Sequence, residues 1–453
     1  MSGRRSLSAR ELAARVLSRV LDEGAWVAPA LDAELVRHGG KMSAADRGLA
    51  TELVYGTLRW LVPLEKSLLR GAKRPGRGLD DRIRPHLLIA AYQLQHLHQR
   101  IPAHAAVNEA VSSIRKARPG LAGFSNALLR KLDPSPLGFI DEDAALRDYG
   151  EALGIPPVLV RAAGKNAGGE EDGKNALRAF LERPALGIRW LGPKAEEAGF
   201  RAAMTEMGRG FRRHEFVEQA YLIEGGGQVR DLPGFASGLI QVQDPASQLV
   251  ALLANARSGD RVLDLAAAPG GKSMILSRCV GSAGSVRAVE VDPRRAERLT
   301  QNVRRMGASN IDVRVEDGRI VPAGEVPFDV VLLDAPCSGL GTLRRRPDIK
   351  LRRSEADVSA RVTLQRELLD AAACRVAVGG TLVYAVCSPV PAEGAEVVSA
   401  FLEAHPAYIR RRAGDILSGL PDSAMDENGD LLLQTHLHEC DSFFACHMTR
   451  ATD

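Results

Sequence analysis

From about residue 236 onward the chain alternates between two periodicities, and this limits its fold more than any other feature. Short apolar runs rich in β-branched residues occur at 261–265, 286–289, 311–315, 330–333 and 381–384. Helical stretches at 272–279, 293–306 and 359–377 separate most of them. Strands that alternate with helices predict a doubly wound α/β sheet. Such sheets take their ligands beyond the carboxyl ends of the strands.

The first third reads differently. Ser8 and Glu11 form a capping box, and Leu12, Val16, Leu17, Val20 and Leu21 follow on one helical face. Further helical stretches are read at 45–61, 64–69, 83–97 and 104–116, with a last one closing around Phe124–Leu132. Pro134 and Pro136 then mark a boundary. Three domains are expected: an all-helical one at 1–136, a small α+β connecting domain at 137–235, and the α/β domain at 236–453. Within the second, the Gly-rich polar stretch 164–173 reads as a mobile loop.

Composition matters here mainly through charge. Residues 1–135 hold 22 Lys and Arg against 12 Asp and Glu, about +10 of a chain total of +4. A basic first third on an acidic remainder suggests a polyanionic partner such as nucleic acid. Arg outnumbers Lys fifty to ten, so scattered arginines carry little weight. No uncharged apolar run reaches 18 residues, and the first residues have no signal-peptide core, so a cytoplasmic location and no membrane span are expected. Six cysteines, none in CxxC, describe neither a disulfide framework nor a zinc ribbon.

The first strand of the α/β region runs into Asp264, Leu265, Ala266, Ala267, Ala268, Pro269, Gly270, Gly271 and Lys272. Paired glycines at a strand-to-helix turn allow close approach of a ligand, but the spacing is neither that of a dinucleotide fingerprint nor that of a P-loop. Glu290 ends the second strand, where an acid can accept hydrogen bonds from a ribose diol. Asp292 reads as the N-cap of the next helix, and Asp317 follows the third strand. The fourth strand gives Asp334, Ala335, Pro336, Cys337 and Ser338; the fifth gives Tyr384, Ala385, Val386, Cys387 and Ser388. Two thiols converging on one sheet edge are poorly explained by packing and well explained by nucleophilic chemistry. Cys279 and Cys374, within helices, read as packing residues.

These segments closely resemble the motifs of S-adenosylmethionine-dependent RNA cytosine-5 methyltransferases. Gln241–Gln248 resembles that family's entry into its catalytic domain, and the helical first third resembles the NusB-type RNA-binding fold. The combination resembles the bacterial 16S ribosomal RNA cytosine-5 methyltransferases of the Sun/Fmu (RsmB) type. The resemblance implies a Rossmann-like S-adenosylmethionine-dependent methyltransferase domain behind a NusB-like domain. It implies that Ala266, Ala267, Ala268, Pro269, Gly270, Gly271 and Lys272 cradle the methionyl part of S-adenosyl-L-methionine. Glu290 would hold the ribose and Asp317 would lie near the adenine. Asp334 would lie between donor and target base, Cys387 would be the nucleophile, and Cys337 would help release the product. The family usually has Asp at the position of Glu290 and often Thr at that of Val386; neither change removes a reacting group.

A thiol suits this chemistry. Its addition at carbon 6 breaks the aromaticity of cytosine and makes carbon 5 enamine-like. Arg344, Arg345, Arg346, Arg352 and Arg353 follow the first cysteine and are read as phosphate contacts beside the target nucleotide. His436, His438, Cys440, Cys446 and His447 lack a familiar zinc spacing, so no metal is expected, and the alternation around Phe443 and Phe444 reads as a closing hairpin. His96, His98 and His104 read as surface or helix-end residues. RNA is the expected partner of a monomeric enzyme. Transfer RNA is the alternative substrate, a DNA methyltransferase would leave Cys387 unexplained, and a non-catalytic RNA-binding factor is the alternative outside enzymes.

Overall fold

Ser8 accepts a hydrogen bond from the Glu11 amide while the Glu11 carboxylate reaches back to the Ser8 amide, and this box starts the first helix. The computed structural model describes residues 7–71, 78–225 and 227–452. The signal-peptide reading of the first residues rests in part on 1–6, outside that set. The chain divides into two compact units: one comprises the chain up to Arg183 together with Leu343–Arg352, the other Pro184–Thr342 and Arg353 onward.

In the first unit, helices α1 (Ala9–Leu21), α2 (Val27–His38), α3 (Ala44–Arg59), α4 (Leu61–Arg70), α5 (Arg84–His96), α6 (Ala103–Ala117) and α7 (Ala122–Arg130) share one core. Leu12, Val16, Leu17 and Val20 of α1 are buried in it, on the face their spacing predicts. α2 has no side-chain cap of its own, which is why pattern reading passes over it. Its first amide, from Val27, donates to the buried Asp348 carboxylate at 2.9 Å, a partner 321 residues away. His96 is the last residue of α5, a helix-end residue as read, but it is half-buried: its ring lies 4.2 Å from Trp60 and 4.9 Å from Tyr92, and burial pushes its pKa down to about 4.

Three more helices follow in this unit: α8 (Leu146–Leu153), α9 (Pro157–Asn166) and α10 (Glu170–Ala179). They replace the mobile loop expected at 164–173, of which only 167–169 is non-helical. Gly164 and Gly173 are helical glycines at which a Cβ would lie 3.2 and 3.1 Å from Leu146. Close helix packing, not turn geometry, accounts for them.

The ten residues Leu343–Arg352 belong to this unit too. Arg59 donates to the Arg344 carbonyl at 2.8 Å, and Lys350 donates to the Arg59 carbonyl at 2.7 Å. Arg352 donates to the carbonyls of Gly24 and Ala25, its guanidinium 4.4 Å from the Trp26 ring centroid. Arg344 is buried. The phosphate-contact reading of this basic run is therefore corrected for Arg344 and Arg352, which serve the packing of the helical unit.

The second unit begins with an antiparallel sheet. Its elements are β1 (Leu186–Trp190), α11 (Glu197–Glu206), β2 (Phe211–Arg213), β3 (Ala220–Ile223) and β4 (Ile240–Val242), in strand order β2-β3-β1-β4. Trp190, Phe200, Met204 and Tyr221 are in its core. The stretch 137–235 is thus no single connecting domain: its helices α8 to α10 belong to the first unit and its strands to the second. Composition cannot reveal which core an amphipathic helix will bury against.

The main sheet comes next: α12 (Pro245–Leu253), β5 (Arg261–Leu265), α13 (Gly271–Val280), β6 (Ser285–Glu290), α14 (Pro293–Arg305), β7 (Ile311–Val315), β8 (Phe328–Asp334), α15 (Glu355–Ala373) and β9 (Val376–Val386). The last stretch adds α16 (Ala395–Ala404), β10 (Tyr408–Arg411), α17 (Ala413–Ile416), β11 (Leu431–Leu433), α18 (Thr435–His438) and β12 (Phe443–Arg450). The strand order is β10-β12-β9-β8-β5-β6-β7, with β11 beside β12. Strands β5 to β9 pair in parallel, while β12 runs antiparallel to β9. Chain order reverses at β5, which lies between β6 and β8, the switch point where such sheets open a crevice. β11 and β12 form the expected closing pair, with Leu432 opposite Phe444. α15 starts four residues earlier than read, at a capping box between Ser354 and Asp357, and gives way to β9 at Val376. Its C-cap, Cys374, is exposed, which corrects the packing reading of that thiol.

Candidate active site

The turn after β5 is built from unusual backbone. Ala266 has φ +59°, the Ala268–Pro269 peptide is cis, and Gly270 has φ +99°. A non-Gly residue at positive φ persists only where its surroundings hold it. Here the Ala267 amide donates to the Val289 carbonyl at 2.9 Å, Arg295 to the Ala268 carbonyl at 2.8 Å, and Asn302 to the Pro269 carbonyl at 3.0 Å. α13 then starts at Gly271, and among the described residues no side chain caps its first amides. Gln241 Nε2 donates to the Gly271 carbonyl at 2.9 Å, and its buried Oε1 has no hydrogen-bond partner among the described residues.

Asp264, below this turn, is fully buried. Ser273 Oγ donates to its Oδ2 at 2.6 Å, while Oδ1 has no hydrogen-bond partner among the described residues. Burial pushes its pKa up to about 7. Lys272 turns toward β8, its Nζ 2.5 Å from Asp334 Oδ2 and 5.4 Å from the Phe443 ring centroid.

Glu290, at the end of β6, is 1% exposed. Its Oε1 accepts from the Asp292 amide at 3.1 Å, and its Oε2 lies 3.2 Å from Arg295 Nη1. Asp292 is the N-cap of α14, as its position predicts, accepting from the Arg294 and Arg295 amides. Between them Val291 is 62% exposed, an apolar surface beside the buried carboxylate. Asp317, past β7, is held by Arg319, whose Nη2 lies 2.7 Å from Oδ2; this hydrogen bond holds its carboxyl below the usual range.

β8 and β9 are neighbours, with Asp334 opposite Ala385. Their register carries the loops beyond them to one place: Cys337 Sγ and Cys387 Sγ are 3.3 Å apart. The Cys337 thiol is pushed well above the ordinary thiol range by its hydrogen bond with Cys387, by burial, and by the neighbouring Glu393 and Asp334 carboxylates. Cys337 therefore keeps its proton through the neutral range.

Sequence reading finds both cysteines, Asp334, Glu290 and the Gly-rich turn, and the structure brings these to the carboxyl edge of one sheet. It passes over Arg295, Asn302 and Glu393, and it takes in Gln241 only within the segment Gln241–Gln248, with no role at the turn. Only the exposed apolar Val291, adjoining Glu290, left a local signal. His438 and His447 are engaged elsewhere: His438 Nδ1 accepts from the Gln434 amide and His447 Nδ1 lies 2.8 Å from the Leu253 carbonyl. Among the described residues no group of three or more His, Cys, Asp or Glu could hold a metal, and no helix is long and apolar enough to cross a membrane.

A parallel sheet with this switch point, a Gly-rich turn on β5 and an antiparallel last strand defines the Rossmann-like fold of the S-adenosylmethionine-dependent methyltransferases, here with a helical domain before it. Residues 251–449 match the family model described as 16S rRNA methyltransferase RsmB/F, and residues 7–134 match the NusB family. The chain belongs to the 16S rRNA methyltransferase RsmB/F family. It is 34% identical over 406 residues to ribosomal RNA small subunit methyltransferase B of Pseudomonas putida KT2440, covering 88% of this chain and 90% of that protein. It is 33% identical over 426 residues to the protein of the same name from Yersinia pestis bv. Antiqua (strain Angola), covering 93% and 96%. Among solved structures it is similar to PH0851, with a TM-score of 0.74, 25% identity and 98% and 99% coverage. A methyltransferase homologue from Pyrococcus horikoshii, 23% identical, shares the fold with a TM-score of 0.57 over 69% of this chain and all of that one.

Proposed function

We propose that the protein transfers a methyl group from S-adenosyl-L-methionine to carbon 5 of a cytosine in 16S ribosomal RNA, through a covalent bond between Cys387 and carbon 6. The observation that carries this reading is the pair of thiols 3.3 Å apart at the carboxyl edge of a methyltransferase-type sheet.

Several features of the site fit the methyl donor. Among the described residues the buried Asp264 Oδ1 and Gln241 Oε1 lack hydrogen-bond partners and no side chain caps the first amides of α13, while Val291 presents an apolar surface beside Glu290. In this reading Ala266, Ala267, Ala268, Pro269, Gly270, Gly271 and Lys272 hold the methionyl part, Glu290 takes the ribose diol, and Val291 and Asp317 flank the adenine. The donor supplies an electrophilic methyl group on a sulfonium. Every other step belongs to the protein and the base.

Cys387, as thiolate, adds to carbon 6, and the ring electrons move to carbon 5, which takes the methyl group. Asp334, neutralised by Lys272, is assigned to the ring edge at nitrogen 3. A base removes the carbon-5 proton, the double bond reforms, and the carbon–sulfur bond breaks. Cys337, still protonated, donates a hydrogen bond to the departing Cys387 sulfur and so aids release. The target cytosine must leave any stack to reach the cleft. Two free thiols in contact require a reducing compartment, which supports a cytoplasmic site of action.

The test uses Cys337→Ala and Cys387→Ala, each incubated with S-adenosyl-L-methionine and small-subunit ribosomal RNA and run on a denaturing gel. Cys337→Ala should accumulate a covalent RNA adduct, and Cys387→Ala should form none and be inactive. Methylation by Cys387→Ala would overturn the assignment.

A further inference from the structure

The turn between β9 and α16 carries a carboxylate that the proposed mechanism does not use. Glu393 is fully buried. Its Oε1 accepts from the Ser338 amide at 2.7 Å, and its Oε2 accepts from Ser338 Oγ at 2.5 Å. Gln365 of α15 donates to the same Oε1 at 3.2 Å and to the Pro336 carbonyl at 3.1 Å. Tyr384 Oη donates to the Glu393 backbone carbonyl at 2.6 Å. Ser338 Oγ lies 3.4 Å from Ser388 Oγ. One buried charge thus grips the residue after Cys337 by both its donors, and it does so from the turn that follows Cys387 and Ser388. Charge-assisted hydrogen bonds of this kind are the stronger ones, and they fix geometry when shared between two loops.

We infer that Glu393 is a positioning residue that sets the separation of the two catalytic sulfurs by clamping the Cys337 loop to the Cys387 loop. The inference rests on the two-thiol reading, but its geometric part can be tested without any methylation.

Diamide oxidises two adjacent thiols to a disulfide, its nitrogen–nitrogen double bond taking up the two electrons and two protons. The rate of Cys337–Cys387 cross-linking in the full-length protein reports the sulfur separation, read by mass spectrometry in a background where the other four cysteines are Ser. Glu393→Ala should slow cross-linking and lower single-turnover methylation by about 100-fold, the scale set by a misplacement of roughly 1 Å. S-adenosyl-L-methionine affinity, measured by calorimetry, should change by less than about threefold, since the donor-facing residues are untouched. Glu393→Gln keeps an acceptor for the Ser338 amide and should recover most of both rates. Should Glu393→Ala not fold, Ser338→Ala and Glu393→Gln supply the same readouts, the former slowed and the latter close to wild type. Wild-type cross-linking in a folded Glu393→Ala or in Ser338→Ala overturns the inference. So does a fall in donor affinity equal to the fall in rate. Activity of Cys387→Ala would instead overturn the two-thiol reading and leave the cross-linking result standing.

Discussion

Gly270 caps the start of α13 at φ +99°, and a Cβ there would lie 2.3 Å from Leu299 Cδ1. Positive φ and a clash with a buried leucine act together, so Gly270→Ala should lower stability by about 1–3 kcal/mol. It should also weaken S-adenosyl-L-methionine binding by at least about tenfold, since about 1.4 kcal/mol of distortion at the turn is enough. Thermal melts and calorimetric titration measure the two effects; wild-type donor affinity would remove the turn from the binding site. Asp264 offers a pH test. Burial raises its folded pKa to about 7, against an ordinary value of 3.8. Between those values the unfolded state has released the proton and the folded state retains it. Stability therefore falls as pH rises through that window and levels off above pH 7. Asp264→Asn carries no such proton. The melting temperature of the variant minus that of wild type should climb from about pH 4 to 7 and then flatten; a difference independent of pH would refute the buried-acid account.

At the scale of elements, periodicity predicts well where the interactions that make an element are local. Ser8 and Glu11 announce α1, Asp292 announces α14, and the five runs read as strands coincide with β5 to β9 or lie inside them. It fails for α2, because the carboxylate that takes the Val27 amide comes from Asp348. It fails again at 164–173, because a glycine that lets helices approach closely has the same letter as a glycine in a turn. Leu343–Arg352 shows the same limit: charge alone reads its arginines as phosphate contacts, whereas Arg352 is bonded to two carbonyls and stacked on Trp26. Arg352→Ala should therefore destabilise the helical unit by about 2–3 kcal/mol, the sum expected for charged hydrogen bonds and a cation–π contact. Urea denaturation checks it. Unchanged stability with weakened RNA binding would restore the phosphate-contact reading.

For the whole molecule, charge is the property that the sequence states most directly. The first 135 residues carry about +10 and the rest about −6. If that asymmetry guides a polyanion, the affinity of the intact protein for a small-subunit ribosomal RNA fragment should fall steeply with salt, by about 100-fold or more from roughly 50 to 200 mM. The inactive Cys387→Ala variant should show the same slope, because phosphate contacts do not depend on the nucleophile. Fluorescence anisotropy across a salt series measures both; a flat dependence would mean that the basic residues are simply solvated.

By itself the sequence determined the features that short-range chain geometry sets: the alternating strands and helices of the α/β region, the turn after β5, the acid ending β6, and a Cys-Ser pair at the end of each of two strands. The tertiary structure decided everything that joins distant segments. It set β8 beside β9, so that the cysteines meet at 3.3 Å rather than merely sharing an edge. It paired Lys272 with Asp334, aimed Glu393 at Ser338, and gave Leu343–Arg352 to the helical unit. The physical reason is the same in each case. Period and capping are written within a few residues, whereas long-range partners are chosen by which apolar faces bury together, and that choice leaves no local trace.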